Sequence, residues 1–244
     1  MARLDGKTVL ITGGGSGIGL ATARALLHEG AAVAIAGRDE AKLQSAADRL
    51  GAAARLRAHP CDVTDKAQVR RLVEAVTQEF GRIDILVNNA GANVKNRAVQ
   101  DLDPATWDHL VRVNLDGVFY CTHAVLPQMR DRKDGIIVNI SSVAGKRANP
   151  LGGAAYSAAK FGVAALGLAV GVEEKDNNIR VTNIYPGEVD TPILENRPVP
   201  VTPEHRARIL QSDDVAAAVV FVCTLPPRAN VPELIIKPTS QVYF

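Results

Sequence analysis

The chain has 244 residues, 47% of them hydrophobic, which is enough for one large α/β domain with a buried core. Its formal charge is only +2, with 22% charged residues and no dense basic run or basic-aromatic interleaving, so a nucleic-acid partner is not expected. Cys61, Cys121 and Cys223 are odd in number, widely spaced and set in apolar surroundings, and the five histidines are scattered, so core thiols are expected and neither a disulfide set nor a metal site.

The N-terminus enters a strand at once and lacks the apolar core of a signal peptide, and no uninterrupted apolar stretch approaches about 18 residues. A cytoplasmic location away from membranes is the expectation. Short β-rich runs at 8–12, 33–37, 56–62, 83–88, 135–141, 180–184 and 233–237 read as seven strands. Helical patterns near 17–29, 39–50, 65–79, 104–130, 153–174 and 213–224 lie between them. This alternation predicts a single α/β domain over residues 1–244: a doubly wound, Rossmann-type parallel sheet of seven strands with helices on both faces. The one departure is 186–212, a long connection punctuated by Pro186, Pro192, Pro198, Pro200 and Pro203, which reads as a substrate loop or lid.

Taken in chain order, the first chemical signal is the run TGGGSGIG at 12–19, which follows the first strand and opens a helix. A glycine-rich turn in that position brings backbone N–H groups and a helix N-terminus onto a pyrophosphate. The second strand ends at Gly37 and is followed by Arg38, where a carboxylate would bind the ribose 2′-hydroxyl of NAD and a guanidinium instead accommodates the 2′-phosphate of NADP. NADP is therefore expected, with NAD possible, and Asp39 reads as the cap of the next helix. Asp62, in CDVTD after the third strand, either accepts from an adenine amino group or serves only as a turn and capping residue.

Asn88-Asn89-Ala90-Gly91 ends the fourth strand, Asn114 lies in VRVNLDG within the long helix, and Ser141-Ser142 ends the fifth strand. The carboxyl ends of parallel strands form the ligand crevice, so polar residues placed there call for a functional reading. Tyr156 and Lys160 follow in YSAAK. On a helix four residues advance about 400°, which puts the phenol and the ammonium on one face about one turn apart. A tyrosine, with an ordinary pKa of about 10, is a poor base at neutral pH, and a neighbouring fixed cation lowers that value. A proton donor and acceptor for a carbonyl or an alcohol results.

Together these segments make the chain similar to the short-chain dehydrogenase/reductase family: TGGGSGIG, NNAG, Asn114, ISS, YSAAK and PGEVDT stand in the family's order and approximate spacing over essentially the whole length. The resemblance implies an oxidoreductase that transfers a hydride between a nicotinamide coenzyme and a carbonyl or alcohol. It implies that Gly13, Ser16, Gly17, Ile18 and Gly19 line the cofactor phosphates and that Arg38, Asp62 and Val63 meet the adenosine end. Asn89, Ala90 and Gly91 would form the wall beside the cofactor, with Pro186, Gly187, Val189 and Thr191 at the nicotinamide. Ser142 would polarise the carbonyl, Tyr156 exchange the proton, Lys160 depress the tyrosine pKa while holding the ribose, and Asn114 anchor a water of a proton relay. Ser141 is expected to be structural, because alternating strand residues face opposite sides.

The ending TLPPRANVPELIIKPTSQ resembles members that oxidise 3-hydroxy acids such as serine or reduce the clavulanate aldehyde, which points to a small polar hydroxy acid or carbonyl. Lys95, Arg97, Lys146, Arg147 and Arg197 could gather at the pocket mouth, but Glu188, Asp190 and Glu195 lie near enough in sequence to make a solvated rim of mixed sign the expectation. A 3-ketoacyl reductase is the enzymatic alternative, opposed by the acidic EEKDNN at 173–178, and a catalytically silent NADP-binding sensor is the alternative of another class. By the same resemblance the chain is expected to form a homo-oligomer, a tetramer or dimer, through its long helices and last strand. The alanine-rich face of the 153–174 helix and the terminal Val242, Tyr243 and Phe244 are compatible with that.

Overall fold

The computed structural model describes residues 2–242, so the expectation for Tyr243 and Phe244 lies outside the described residues. Strand β1 (Thr8–Thr12) is buried at every position and lies inside the sheet, the signature of a parallel strand covered on both faces. Around it lie β2 (Ala32–Gly37), β3 (Leu56–Pro60), β4 (Ile85–Asn88), β5 (Gly135–Ile140), β6 (Ile179–Pro186) and, last in the chain, β9 (Glu233–Ile236). Seven strands pair in the order β3-β2-β1-β4-β5-β6-β9, all parallel. The order reverses between β1 and β4, and such a reversal opens a crevice at the carboxyl ends of those two strands.

Alternation along each strand divides the core in two. Val9 and Ile11 of β1 face a cluster with Leu26 of α1 (Gly17–His28), Leu43 of α2 (Glu40–Leu50) and Val219 of α8 (Ser212–Cys223). Leu10 faces the opposite cluster with Leu72 of α3 (Lys66–Phe80), Val125 of α5 (Gly117–Arg132) and Val170 of α6 (Ala154–Glu173). Cys61 and Cys121 lie in the second cluster and Cys223 in the first, where burial pushes the thiols up to about 11, about 12 and about 12. Helix α6 is long and apolar enough to cross a membrane by length and composition, with a mean hydropathy of 1.5, yet its buried face packs on β6 and α4 (Pro104–Val111).

Three expectations are corrected. The third strand stops at Pro60, so Asp62 stands in the turn beyond it rather than in the strand. The long helix expected at 104–130 is α4, a π-helical turn at Arg112–Asp116, and α5, which runs on to Arg132. The cause is local: the Gly117 N–H bonds the Arg112 carbonyl five residues back, while the Asn114 side chain donates to the Leu110 carbonyl at 2.9 Å. The 186–212 connection is also not a bare loop. Val189–Asp190 (β7) and Leu210–Gln211 (β8) pair in parallel, and α7 (Pro203–Arg206), capped by Thr202, lies between them.

One buried polar ladder ties sheet to helices. Asn88, Asn139 and Asn183 stand at paired positions of β4, β5 and β6. The Asn88 amide donates to Asn139 Oδ1 at 2.9 Å and to Thr122 of α5 at 3.2 Å. Asn139 donates to Asn183 Oδ1 at 2.9 Å, and Asn183 to the Ala164 carbonyl of α6 at 3.1 Å. The Asn88 side-chain oxygen is buried without a partner, but every amide nitrogen of the ladder donates, and in a low-dielectric interior such a directed chain favours one arrangement, here the seat of α6 on the sheet.

Candidate active site

A cleft of about 560 Å³ runs along the carboxyl ends of the strands from Arg38 to Arg197. At its floor the turn after β1 is locked to the turn after β4: Thr12 Oγ1 accepts from the backbone N–H groups of Asn89 at 3.0 Å and Ala90 at 3.1 Å. The Asn89 amide donates back to the carbonyls of Thr12 at 3.0 Å and Gly13 at 3.1 Å. Gly19 is required by this closeness, because a Cβ there would stand 2.3 Å from the Gly13 carbonyl oxygen and 2.6 Å from Asn89 Nδ2. The first turn of α1 is thus held against the tip of the sheet, its N-terminus facing the cleft through Ser16, Gly17 and Ile18. That end of the helix favours an anion.

Arg38 and Lys42 border the same end of the cleft and are both exposed. Asp39 does cap α2, accepting from the Lys42 N–H at 2.9 Å, so its carboxylate serves the helix. Lys42 lies against Gly15 and supplies a second cation beside Arg38. Sequence reasoning missed it, although its place in the first turn of the helix that opens just after Arg38 was a usable signal. Asp62 closes a turn through one oxygen, which accepts from the Thr64 N–H and hydroxyl, each at 2.9 Å. Val63 packs beneath the rim against Gly117, and neither Asp62 nor Val63 lines the cleft.

At the other end stand Ser142, Tyr156 and Lys160. Ser142 begins a 3₁₀ turn, Val143–Gly145, and its hydroxyl accepts from the Ala144 N–H at 3.1 Å. It also hydrogen-bonds the Tyr156 phenol. Ser141 points the other way and donates to the Lys160 carbonyl at 3.1 Å, as the strand alternation predicts. Lys160 is 3% exposed, donates from Nζ to the Ile140 carbonyl at 2.9 Å, and is pushed down to about 8 by burial. Asn114, fully buried under the wall, donates to the carbonyls of Ala92 at 2.8 Å and Leu110 at 2.9 Å and accepts from the Ala92 N–H at 3.2 Å.

The electrostatics of the phenol differ from the expectation. Burial holds Tyr156 above its ordinary value, and the influences that pull it back are the Ser142 hydrogen bond and the charge of Arg97. Lys160 Nζ lies 5.5 Å from the centre of the Tyr156 ring, over the ring and turned toward Ile140. Four-residue spacing puts the two side chains on one face of the helix, and the bond to the Ile140 carbonyl holds the ammonium at the face of the ring.

The charged rim resolves by residue. Arg197 pairs with Glu188 at 2.9 Å, His205 with the same carboxylate at 2.8 Å, and Arg206 with Asp190. Lys146 is drawn off to Glu233 of β9, and Lys95 is exposed away from the cleft lining. Mixed sign therefore holds for the Arg197 side, and Arg97 stands apart as a buried cation. Gln241 was not anticipated either: its Oε1 accepts from the Glu188 N–H at 2.9 Å, laying the end of the chain over the Pro186-Gly187 bend. Thr191, in contact distance of the Gly17 position, closes the cleft across the phosphate turn.

Comparison with known proteins agrees with this geometry. Residues 7–199 match the short chain dehydrogenase family. An uncharacterized oxidoreductase of Staphylococcus aureus (strain MRSA252) is 36% identical over 238 residues, 98% of this chain and 100% of that protein. Among solved structures, a 3-ketoacyl-(acyl-carrier-protein) reductase from Brucella melitensis complexed with NADH superposes with a TM-score of 0.89 at 32% identity, covering 98% of this chain and 100% of that one. The closed form of a serine dehydrogenase complexed with NADP+ gives 0.89 at 32% identity, covering 97% and 96%. With this match over most of its length and relatives of more than 30% identity over nearly all of it, the chain belongs to the short-chain dehydrogenase family of oxidoreductases.

Proposed function

We propose that the protein is an NADP-preferring dehydrogenase or reductase that interconverts a small polar carbonyl compound and its alcohol, with a short hydroxy acid as the first substrate class. The observation that carries this reading is the meeting of the Ser142 and Tyr156 hydroxyls above buried Lys160, in the same cleft that begins at the glycine turn.

The residues present fit a nicotinamide dinucleotide. Gly13, Ser16, Gly17 and Ile18 offer a helix N-terminus that Gly19 brings against the sheet, suited to a pyrophosphate. Arg38 and Lys42 suit a 2′-phosphate. Asn89, Ala90, Gly91, Pro186, Gly187, Val189 and Thr191 line the stretch from there to Tyr156. When bound, the coenzyme supplies the hydride donor or acceptor. The protein's own part is positioning and proton exchange. Ser142 donates to the substrate oxygen, and Tyr156 gives that oxygen its proton in reduction and takes it in oxidation. Lys160 reaches toward Gly91 from beneath and holds a ribose hydroxyl. Asn114 retains one Oδ1 lone pair for the relay water, its amide hydrogens being committed to Ala92 and Leu110.

The hydroxy-acid class is supported by the C-terminal resemblance and by the likeness to the serine dehydrogenase. Helix α6 leaves Phe161, Leu168 and Val172 exposed and α5 leaves Phe119 exposed, and this supports assembly of copies through these helices. The reading is tested by titration with NADPH and NADH, followed by loss of reduced-nicotinamide absorbance over a panel of ketones, aldehydes and keto acids. Tighter NADPH binding with turnover is expected, and binding without turnover on any member overturns it. Tyr156→Phe should lower kcat by about 10²–10⁴-fold while leaving coenzyme affinity nearly intact. Because burial holds the phenol above its ordinary value, alcohol oxidation should climb steadily into alkaline pH while reduction, which uses the protonated phenol, holds level from neutral pH.

A further inference from the structure

Arg97 lies in the loop after β4 and is 7% exposed. A guanidinium taken out of water needs hydrogen bonds and, in most proteins, a carboxylate. Here the compensation is three backbone carbonyls: Nε donates to Val94 at 2.7 Å, Nη1 to Leu151 at 2.5 Å, and Nη2 to Asn196. The three acceptors belong to three separate walls of the cleft, namely the loop after β4, the loop before α6 and the 3₁₀ turn Pro192–Asn196 of the lid. Gly153, at φ +77°, makes the room, since a Cβ there would stand 2.6 Å from Arg97 Cβ. The side chain is therefore seated by construction.

Carbonyl dipoles satisfy donors without cancelling charge. Among the described residues Arg97 has no carboxylate within ion-pair distance. The neighbouring Arg197 acts on it as a like charge and is itself answered by Glu188. Asp190 is answered by Arg206, and Glu195 is exposed at the outer edge of the cleft. Arg97 thus remains a buried cation without a carboxylate at the substrate end of the cleft, and its charge is felt at the Tyr156 phenol. Of the five N–H groups of a guanidinium three are in use, which leaves one on each terminal nitrogen.

We propose that Arg97 anchors a carboxylate of the substrate, holding its acid end while Ser142 and Tyr156 engage the carbonyl or hydroxyl, so that the enzyme selects short hydroxy and oxo acids over neutral compounds of the same shape. This rests on the oxidoreductase reading above and deepens it. A carboxylate matches the single excess charge, and its two oxygens suit a fork with one free hydrogen per terminal nitrogen. The lid contributes Asn196 to the seat of Arg97, so the anchor also couples lid position to the acid end of the cleft.

The test uses two ligands of one shape, propanoate and propanamide, titrated by ligand-observed NMR into the full-length protein loaded with NADP+. The wild type should bind propanoate at least about tenfold more tightly than propanamide, the scale of a hydrogen-bonded charge pair. Arg97→Met should erase the preference and Arg97→Lys should keep only part of it. Should Arg97→Met fail to fold, Arg197→Gln leaves the three carbonyl bonds of Arg97 intact and strips Glu188 of its guanidinium partner, leaving it only His205, so that propanoate affinity should fall about threefold with propanamide unchanged. No saturable propanoate binding, equal binding of the two ligands, or a preference indifferent to both arginines overturns the proposal. Turnover of neutral carbonyls without charge discrimination would overturn the anchor and leave the oxidoreductase reading standing. Arg97-dependent propanoate binding without turnover of any carbonyl would do the reverse.

Discussion

The two ends of the cleft are built by different means. At the glycine turn two short contiguous segments, 12–19 and 88–91, make the site, and main chain is what they fix: the first turn of α1 is pressed on the Gly13 carbonyl, and Thr12 and Asn89 exchange bonds with each other's main chain. At the substrate end, segments around residues 94, 151, 196 and 241 converge from distant parts of the sequence, held by side chains that reach across to carbonyls or N–H groups. Backbone-defined sites tolerate almost no change in shape, whereas sites assembled by side chains can be retuned by replacing one charge. This difference is how one fold hosts many substrates.

The comparison breaks most severely at Gly19. A single methyl there meets backbone at 2.3 Å, with no flexible side chain to yield, so Gly19→Ala should weaken coenzyme binding by about 100-fold and cost about 2–3 kcal/mol of stability. Calorimetric titration with NADPH, alongside urea denaturation, reads both. A near-normal affinity would mean that the first turn of α1 can move away from Gly13 without harm, and the claim of a backbone-defined end would fall.

The same division explains what was legible beforehand. The first strand was read at its true bounds, 8–12, and the remaining six sheet strands lay within two residues of theirs, because buried parallel strands are continuous apolar runs flanked by turn residues. TGGGSGIG, Asn89, Ser142, Tyr156 and Lys160 were legible because each signal is contiguous and its chemistry local. The π turn around Asn114 was not, since one extra residue inserted in a helix leaves the apolar spacing of VRVNLDG looking continuous. The β7–β8 pair was hidden because two-residue strands have no period to detect. Arg97 read as one rim cation among several. Its acceptors are backbone carbonyls, which every residue carries and which therefore leave no trace in composition or motif.

Lys160 sits where the two ends meet and sharpens the contrast, because it is a motif residue whose cost comes from burial. Its ammonium has one carbonyl partner and is pushed down to about 8, from an ordinary value of 10.5 in the unfolded chain. Between those values the unfolded state holds a proton that the folded state has released, so folding becomes more favourable as pH rises through that window. Below about 8 both states are protonated and the gain is absent. The contribution should approach 1.4 kcal/mol per pH unit, roughly, once pH is above the folded value. The buried cysteines and Tyr156 oppose it at high pH, so the difference between wild type and Lys160→Met isolates it. Chemical denaturation at pH 7, 8 and 9 should show the wild type gaining on the variant mainly over the upper step. A constant difference would mean that Lys160 is solvated in the folded protein.

The smallest expected effect lies at the exposed tip of the cofactor end, where the proposed choice between two coenzymes rests on side chains rather than backbone. Arg38 can meet a 2′-phosphate with two N–H groups, and Lys42 from the next turn acts as a point charge. Both are exposed, so solvent and salt screen them. Arg38→Ala should weaken NADPH about tenfold relative to NADH, and Lys42→Ala about threefold. Both losses should shrink as ionic strength rises, because they are charge effects at a surface. Asp39 offers the internal control. Its carboxylate is occupied by the Lys42 N–H, so Asp39→Asn, which keeps a capping oxygen, should alter the NADPH-to-NADH ratio far less than Arg38→Ala does. A rise in that ratio as large as the fall produced by Arg38→Ala would show that the negative charge of Asp39, and not the guanidinium alone, sets coenzyme choice.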